Sequence, residues 1–376
     1  MGWKVGDRIG VAPTESQSKG IGQTFTITHI ASDRTVLWDG PSQYTHKADF
    51  IPSLLPDDTM PPILMSAEII NLSRNIVITR DDFENIPCDP DVKDPADGCM
   101  CNDYRRTCTV GLHTLMAKTG TLRVSNTRVE NCGQRGILGK YCLHFHKLED
   151  CPNCLLSGNA IESSQQRGIV IHDTHRSLVE RNVLWNVRVA GIYVEDGNEM
   201  YNSLEYNVVI CPLPLDDPVH QGCTIPGTER GGSDDRRNQA SFYLVGSTND
   251  LLGNRAASSH NGMYADASAD GEARGKLCDH QTAIGRWEGN TFHGHARFGT
   301  YPIRFYPQVT DRTLRTNGLT INLDRSRCDG FDSKGNTKGL PTAIVNHLSI
   351  MTIFLLVNTK RTMFSIGAML VSTTKI

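Results

Sequence analysis

The apolar residues of this chain fall in short clusters, not in long stripes. Over residues 1–80 they form the runs "RIGVA", "FTITHI", "TVLWD" and "NIVIT", separated by Gly, Pro, Asp and Ser, with no helical stripe between them. Side chains on a strand alternate faces with a period of two, whereas a helix needs apolar residues at i, i+3 and i+4, so the pattern predicts a β-rich module over residues 1–80. Residues 81–109 break it: "ENIPCDPDVKDPADGCMCNDYRRTC" is dense in Pro, Asp and Cys and reads as a long loop pinned by disulfides.

From residue 110 the text repeats a short apolar strand, a polar corner, a second short strand and an asparagine, at intervals too short for βαβ units. The units include "LHFHKLEDCPNCLLSGNAI", "GIVIHDTHRSLVERNVLWN", "GIYVEDGNEMYNSLEYNVVI" and "SFYLVGSTNDLLGNRAA", with further rungs at "GMYAD" and "GNTFHGHARFGTYPIRFY". Asn159, Asn182 and Asn207 stand 23 and then 25 residues apart. That is about one coil of a solenoid in which each turn adds one rung to each of three sheets. The expected fold is therefore all-β: a right-handed parallel β-helix over residues 110–345. Its asparagines are expected to stack at a corner, exchanging amide hydrogen bonds and adopting left-handed backbone geometry. Residues 211–240 and 267–285 are too polar to be rungs and read as inserted loops, where solenoids often carry binding function. The tail 346–376 is apolar but interrupted by Asn358, Lys360 and Arg361, too short on either side to span a bilayer; it reads as two buried strands or an aberrant ending.

The rungs also place chemistry side by side. Aligned by their first apolar residue, Leu143-His144-Phe145-His146, Ile169-Val170-Ile171-His172 and Ile192-Tyr193-Val194-Glu195 put His146, His172 and Glu195 in one ladder. His144, Val170 and Tyr193 form a second ladder on the same face, with strands ~4.8 Å apart. Buried unpaired imidazoles and carboxylates lose their hydration, so the ladder is expected to face solvent or a groove. There a carboxylate beside two imidazoles raises their pKa values and holds a proton ready for transfer. A satisfied surface network is the plainer reading of the same ladder. A transition-metal site of His144 or His146 with His172 is a third, lacking a clear third ligand. Strict alternation sends Glu195 and Asp196 to opposite faces, which excludes the ~5–5.5 Å carboxylate pair of a retaining glycosidase. Asp173 and Asp196 fall in register just past the strand ends and form an alternative acid–base pair.

Composition narrows the setting. The 376 residues carry a net charge of -3 with a pI near 6.5, so no broad basic field exists for nucleic acid or an anionic membrane. Twelve cysteines, several closely spaced, favour disulfides in an oxidising compartment; Cys99-Met-Cys101 and Cys151-Pro-Asn-Cys154 leave zinc as the competing reading. No signal peptide precedes them, and the opening "MGWKVGDRIGV" reads like a strand in mid-domain, which predicts a fragment.

Other features are weaker. "GTERGGSDDRRNQ" reads as a mobile loop, or as a clamp whose Arg236 and Arg237 meet a uronate carboxylate. Asn71-Leu-Ser73 fits a glycosylation sequon or a turn. His293 and His295 repeat the His-x-His spacing, but Gly294 between them suggests a bend.

Several motifs together resemble a known family. "WKVGDRIGVAPT", "FTITHI", "TVLWDGPSQYTHKADF" and "SAEIINLSRNIVIT" look like the later part of a G8 domain. "GILGKYCLHFHKL" resembles the segment that follows it in the family of cell-migration-inducing hyaluronan-binding protein and cell-surface hyaluronidase, with fibrocystin-like proteins more distant; "YVEDGNEMYN" and "NQASFYLVGSTNDLLGNRAASSHNGMYAD" match in order and spacing. Lys140 stands where the motif carries Arg, and Cys142 where it carries Pro. The resemblance implies an extracellular or cell-surface β-helix that binds or depolymerises hyaluronan or a related glycan, with calcium as the implied ion. Combining motif and ladder, His144, His146, His172, Glu195 and Asp196 are the expected catalytic residues, and Lys140, Asp173, Tyr193, Arg236 and Arg237 the expected glycan contacts. Hydrolysis needs one group to protonate the leaving oxygen and another to activate water or attack; His146 or His172 would be the acid and Glu195 or Asp196 the base or nucleophile. A non-catalytic glycan-binding or adhesion module and a polysaccharide lyase are the rival expectations.

Overall fold

The computed structural model describes residues 2–15, 19–51, 63–101, 107–197, 199–214, 223, 239–246, 248–266 and 285–303. Arg236, Arg237, most of both inserted segments and everything after residue 303 lie outside the described residues. All named elements are strands. Among the described residues no helix is long and apolar enough to cross a membrane.

Near the N-terminus, Thr35–Trp38, Gln23–Ser32, Arg8–Val11 and Ile69–Asn71 pair in that order as an antiparallel sheet. The alternation that predicts these strands also builds their core: Ile9, Val11, Phe25 and Ile27 point to one side, and the Phe25 and Trp38 rings stack at 5.0 Å. Asn71 lies on the edge of this sheet, where its side-chain amide donates to Asp7 at 2.6 Å.

Apart from two antiparallel pairs, Ala48–Ile51 with Ile63–Ser66 and Glu84–Pro87 with Thr107–Val110, the other described strands wind as a parallel β-helix with three sheets. The first runs through Met116–Ala117, Leu143–Asp150, Ile169–His175, Ala190–Val194, Ala240–Val245, Asn261–Asp266 and Phe298–Ile303. The second runs from Arg123–Ser125 to Trp287–Glu288, and the third from Thr127–Glu130 to Thr291–His293, with Ile76–Ile78 added at its start. Inward positions of all three sheets meet in one core that includes Phe145, Ile171, Leu184, Val194, Leu204, Phe242 and Trp287. Burying each such side chain contributes about 1.5–3 kcal/mol, so this shared interior fixes the register on which the ladder depends. The N-terminal sheet docks on the outside of the third sheet: Ala12, Ile70 and Leu72 pack with Trp185, Ile210 and Ala257, and an Arg8–Glu162 ion pair at 2.7 Å closes one edge of the contact.

The asparagine ladder continues further than the even spacing shows. Asn159, Asn182, Asn207, Asn254 and Asn290 are joined by side-chain amide bonds of 3.0 Å; the last four amide oxygens also accept the backbone N–H of the preceding asparagine, and that of Asn159 accepts the N–H of Thr127. A second ladder, Ser177–Asn202–Asn249, runs at the neighbouring corner. The expected left-handed backbone is not on the asparagines. It falls one residue earlier, on Gly158, Arg181, Tyr206, Gly253 and Gly289, because each asparagine must point inward to reach its neighbours while the residue before it turns the chain.

The cysteine reading resolves as disulfides. Cys88–Cys101, Cys99–Cys108, Cys132–Cys142, Cys151–Cys154 and Cys211–Cys223 are bonded, and no cysteine among the described residues is free. The short Cys spacings that left zinc open are therefore closed by sulfur–sulfur bonds.

Candidate functional site

The first sheet carries the histidine rung of the expected ladder, and Glu195 lies just past its last paired residue. His144 pairs in register with Val170, and His146 with His172; Val170 pairs with Tyr193, and the N–H of Glu195 donates to the carbonyl of Ile171 at 3.1 Å. Since Leu143 and Phe145 fill the core, the alternation drives His144 and His146 to the outer face.

That face is not open, contrary to the expectation of a solvent-facing ladder. His144 is fully buried, and His172 and Asp196 are each only 8% exposed, while His146 and Glu195 are intermediate. Part of the cover is local: the Cys132–Cys142 disulfide ties back a segment whose Tyr141 ring sits 4.8 Å from that of His144. Within the same segment the Gly139 carbonyl lies 3.1 Å from His144 Nδ1. A carbonyl can only accept, so Nδ1 carries the proton and Nε2 is the lone-pair nitrogen.

The three imidazoles converge. The His146 ring stands edge-on to those of His144 and His172, at centroid distances of 4.9 and 4.7 Å, and the latter two lie parallel at 6.0 Å. Burial, then mutual repulsion, holds His144 well below the usual histidine range and lowers His146 as well. His172 behaves oppositely: burial pulls its pKa down, but Asp196 and Glu195 overcome that and raise it.

The carboxylates correct a second expectation. Glu195 and Asp196 do not diverge to opposite faces, because the strand ends at Val194 and the chain turns there. Both reach one imidazole: Glu195 Oε2 lies 3.5 Å from His172 Nδ1 and Asp196 Oδ2 lies 2.9 Å from His172 Nε2. Asp173 is likewise not past a strand end. It sits inside Ile169–His175 at φ 43°, where the register with the preceding strand shifts. Tyr193 is 3% exposed, stacked on Tyr243 at 4.7 Å and capped by the Arg167 guanidinium 4.3 Å from its ring, so it packs the sheet and is not presented to a glycan. Lys140 is half-buried, beside Gly139.

Two further residues complete the site and escape sequence reasoning. Glu199, fully buried, accepts the N–H groups of Asp173 at 2.8 Å, Asp196 at 3.1 Å and Gly197 at 2.9 Å. Burial pushes its carboxyl up to about 8 against those donors. The available signal was a third acid three residues after Asp196 in a Gly-containing turn. Arg167, also buried, donates to the Tyr141 hydroxyl at 3.4 Å, which in turn donates to Glu195 Oε1 at 3.5 Å. No sequence pattern marks Arg167.

The second His-x-His behaves differently. Its strand stops at His293, Gly294 bends the chain at φ 69°, and His293 pairs with Glu68 at 2.8 Å while His295 is buried against Ser259.

The calcium implied by resemblance does not fit the His144–His146–His172 cluster. Calcium takes six to eight oxygen ligands, whereas three ring nitrogens dominate here.

Residues 109–300 match the profile of the CEMIP beta-helix family. The chain is 28% identical to mouse Fibrocystin-L over 353 residues, 85% of this chain, and 27% identical to human Fibrocystin-L over 341 residues, 84% of this chain. It spans only 8% of the length of either. A G8 domain-containing protein of Dictyostelium discoideum is 27% identical over 224 residues, covering 56% of this chain and 19% of that protein.

Proposed function

Since the chain belongs to the CEMIP beta-helix family, we propose that it is an extracellular module whose outer-sheet cluster engages an acidic polysaccharide of the hyaluronan type and hydrolyses it. The observation that carries this reading is the grip of Glu195 and Asp196 on the two nitrogens of His172. His172, whose proton the two carboxylates hold, can give it to the leaving oxygen while Glu195 acts as the base, the acid and base that glycosidic hydrolysis requires. Glu195, whose side chain is 22% exposed, is the one a substrate reaches; Asp196, at 10%, stands behind it. His144 is fully buried and acts as a positioning residue, not as a group touching substrate. Five disulfides among the described residues suit an oxidising, extracellular setting.

The test is to incubate the disulfide-intact protein with hyaluronan and with other acidic and neutral polysaccharides, following chain length and ultraviolet absorbance together. Shortening of an acidic glycan without a new chromophore supports hydrolysis. A chromophore indicates a lyase, and unchanged chain length throughout rejects the catalytic reading.

A further inference from the structure

We propose that His144, His146 and His172 form a three-histidine site for a divalent transition-metal ion of the zinc or cobalt class. One ring nitrogen from each lies within 4.8 Å of the other two. A triangle of that edge puts its centre no more than about 2.8 Å from each corner, so shifts of roughly 0.7 Å per ring reach the ~2.0–2.1 Å of a zinc–imidazole bond.

Three observations besides proximity point to an ion. His144 Nε2 and His146 Nδ1 are buried and have no hydrogen-bond partner, a costly state for a polar atom unless something else satisfies it. The opposite nitrogen of His144 is committed to the Gly139 carbonyl, the arrangement by which metal-bound histidines are oriented and their tautomer fixed. Finally, Asp196 and Glu195, both at His172, supply two negative charges that offset a divalent ion in a poorly solvated place. Imidazole donors suit zinc, cobalt, nickel or copper, not calcium or magnesium. For His172 to serve, the ion displaces the proton from one ring nitrogen and takes that nitrogen's place beside its carboxylate; three nitrogen ligands then leave a fourth position for that carboxylate or a water.

The His-x-His spacing and the β-helix register together build the site: alternation puts His144 and His146 on one face, and the pairing of His146 with His172 brings the third ligand from the next coil. The disulfides remove ten cysteines from competition for the ion. The site stands on this geometry whether or not a glycan is cleaved.

The experiment uses the full chain in a Cys278→Ser/Cys328→Ser background, stripped with chelator and titrated with cobalt(II) while visible absorption is recorded. One equivalent should bind with the intense bands of low-coordinate cobalt, be displaced by zinc, and be unaffected by excess calcium. His146→Ala, at the half-buried position, should weaken binding by more than the ~10–100-fold cost of losing an outer partner, which is the loss expected for Glu195→Gln. His172→Gln, with folding checked by the thermal transition, serves as the second variant. Absent cobalt bands in the folded protein, or binding that survives in both folded histidine variants, would overturn the proposal. Because the readout is spectroscopic, failure of glycan hydrolysis leaves it intact, and its failure leaves the hydrolysis assay intact.

Discussion

Glu199 accepts the backbone N–H of Asp173 at 2.8 Å, so a carboxyl group on one coil holds the coil before it at the point where the register shifts. The same side chain receives Asp196 and Gly197, which makes it the peg around which the turn carrying Glu195 and Asp196 is wound. Removing it strands three backbone donors.

Glu199→Ala should therefore destabilise the protein by about 3 kcal/mol, since each buried donor left without a partner costs roughly 1–3 kcal/mol and the turn can relax in part. It should also abolish glycan shortening, although Glu199 is too deeply buried to touch a substrate. Denaturant unfolding and the chain-length assay check the two halves; full activity in the variant would show that the turn needs no peg.

Asn182→Ala interrupts the ladder between Asn159 and Asn207 and also loses the bond to the Leu156 carbonyl. The expected cost is about 2–4 kcal/mol, lowering the thermal midpoint by several degrees. Arg181→Gly is the contrasting substitution: Arg181 is exposed at φ 53°, where glycine is relieved of the left-handed penalty, so this variant should be neutral or slightly stabilising. Equal destabilisation by both would contradict the division of labour at this corner.

The fold was legible because its causes are local and repeated. Period-two alternation marks the rungs, and Asn159, Asn182 and Asn207 mark the coil length. His146 and His172 fell into register because Leu143 and Ile169, the core-filling residues that open their strands, pair with each other. What stayed hidden is what alternation does not govern. Glu195 and Asp196 lie beyond the last paired residue, so a strand rule misplaces them; Asp173 sits on a register shift that no composition announces. Burial of the ladder was also invisible, because the Cys132–Cys142 bond that folds Tyr141 and Gly139 back onto His144 is one of many pairings the cysteine spacing allows. Asn254 and Asn290 extend the ladder but are separated from their predecessors by inserted residues, which erases their spacing.

Acid should weaken the far end of the solenoid through His295. Burial, and repulsion from His293, hold its pKa down to about 3, below the 6.5 of an exposed histidine. Between these values the unfolded chain binds a proton that the folded chain refuses, so this contribution is fully present above pH 6.5 and is lost as pH falls toward 3, at up to about 1.4 kcal/mol per unit. Urea unfolding at a series of pH values should show a shallower acid limb in His295→Asn than in the parent. Parallel limbs would mean that His295 is not kept neutral.

The Cys132–Cys142 bond closes a segment of ten-residue separation over His144. Replacing both cysteines by serine should cost about 2–3 kcal/mol. Hydrogen exchange should increase first around residues 139–144; an increase confined to the other end of the solenoid would show that the closure does not cover the site.

Whether Glu195 and Asp196, gathered on His172, cleave an acidic glycan is decided by turnover of size-defined hyaluronan by the parent, Glu195→Gln and Asp196→Asn, with hyaluronan binding followed in parallel. New reducing ends are expected from the parent, and a loss of at least about 100-fold in each variant with binding retained, in keeping with the 10²–10⁴-fold contribution of an acid or base. Parent-level turnover in both folded variants, or no turnover by the parent on any acidic glycan, would contradict this role.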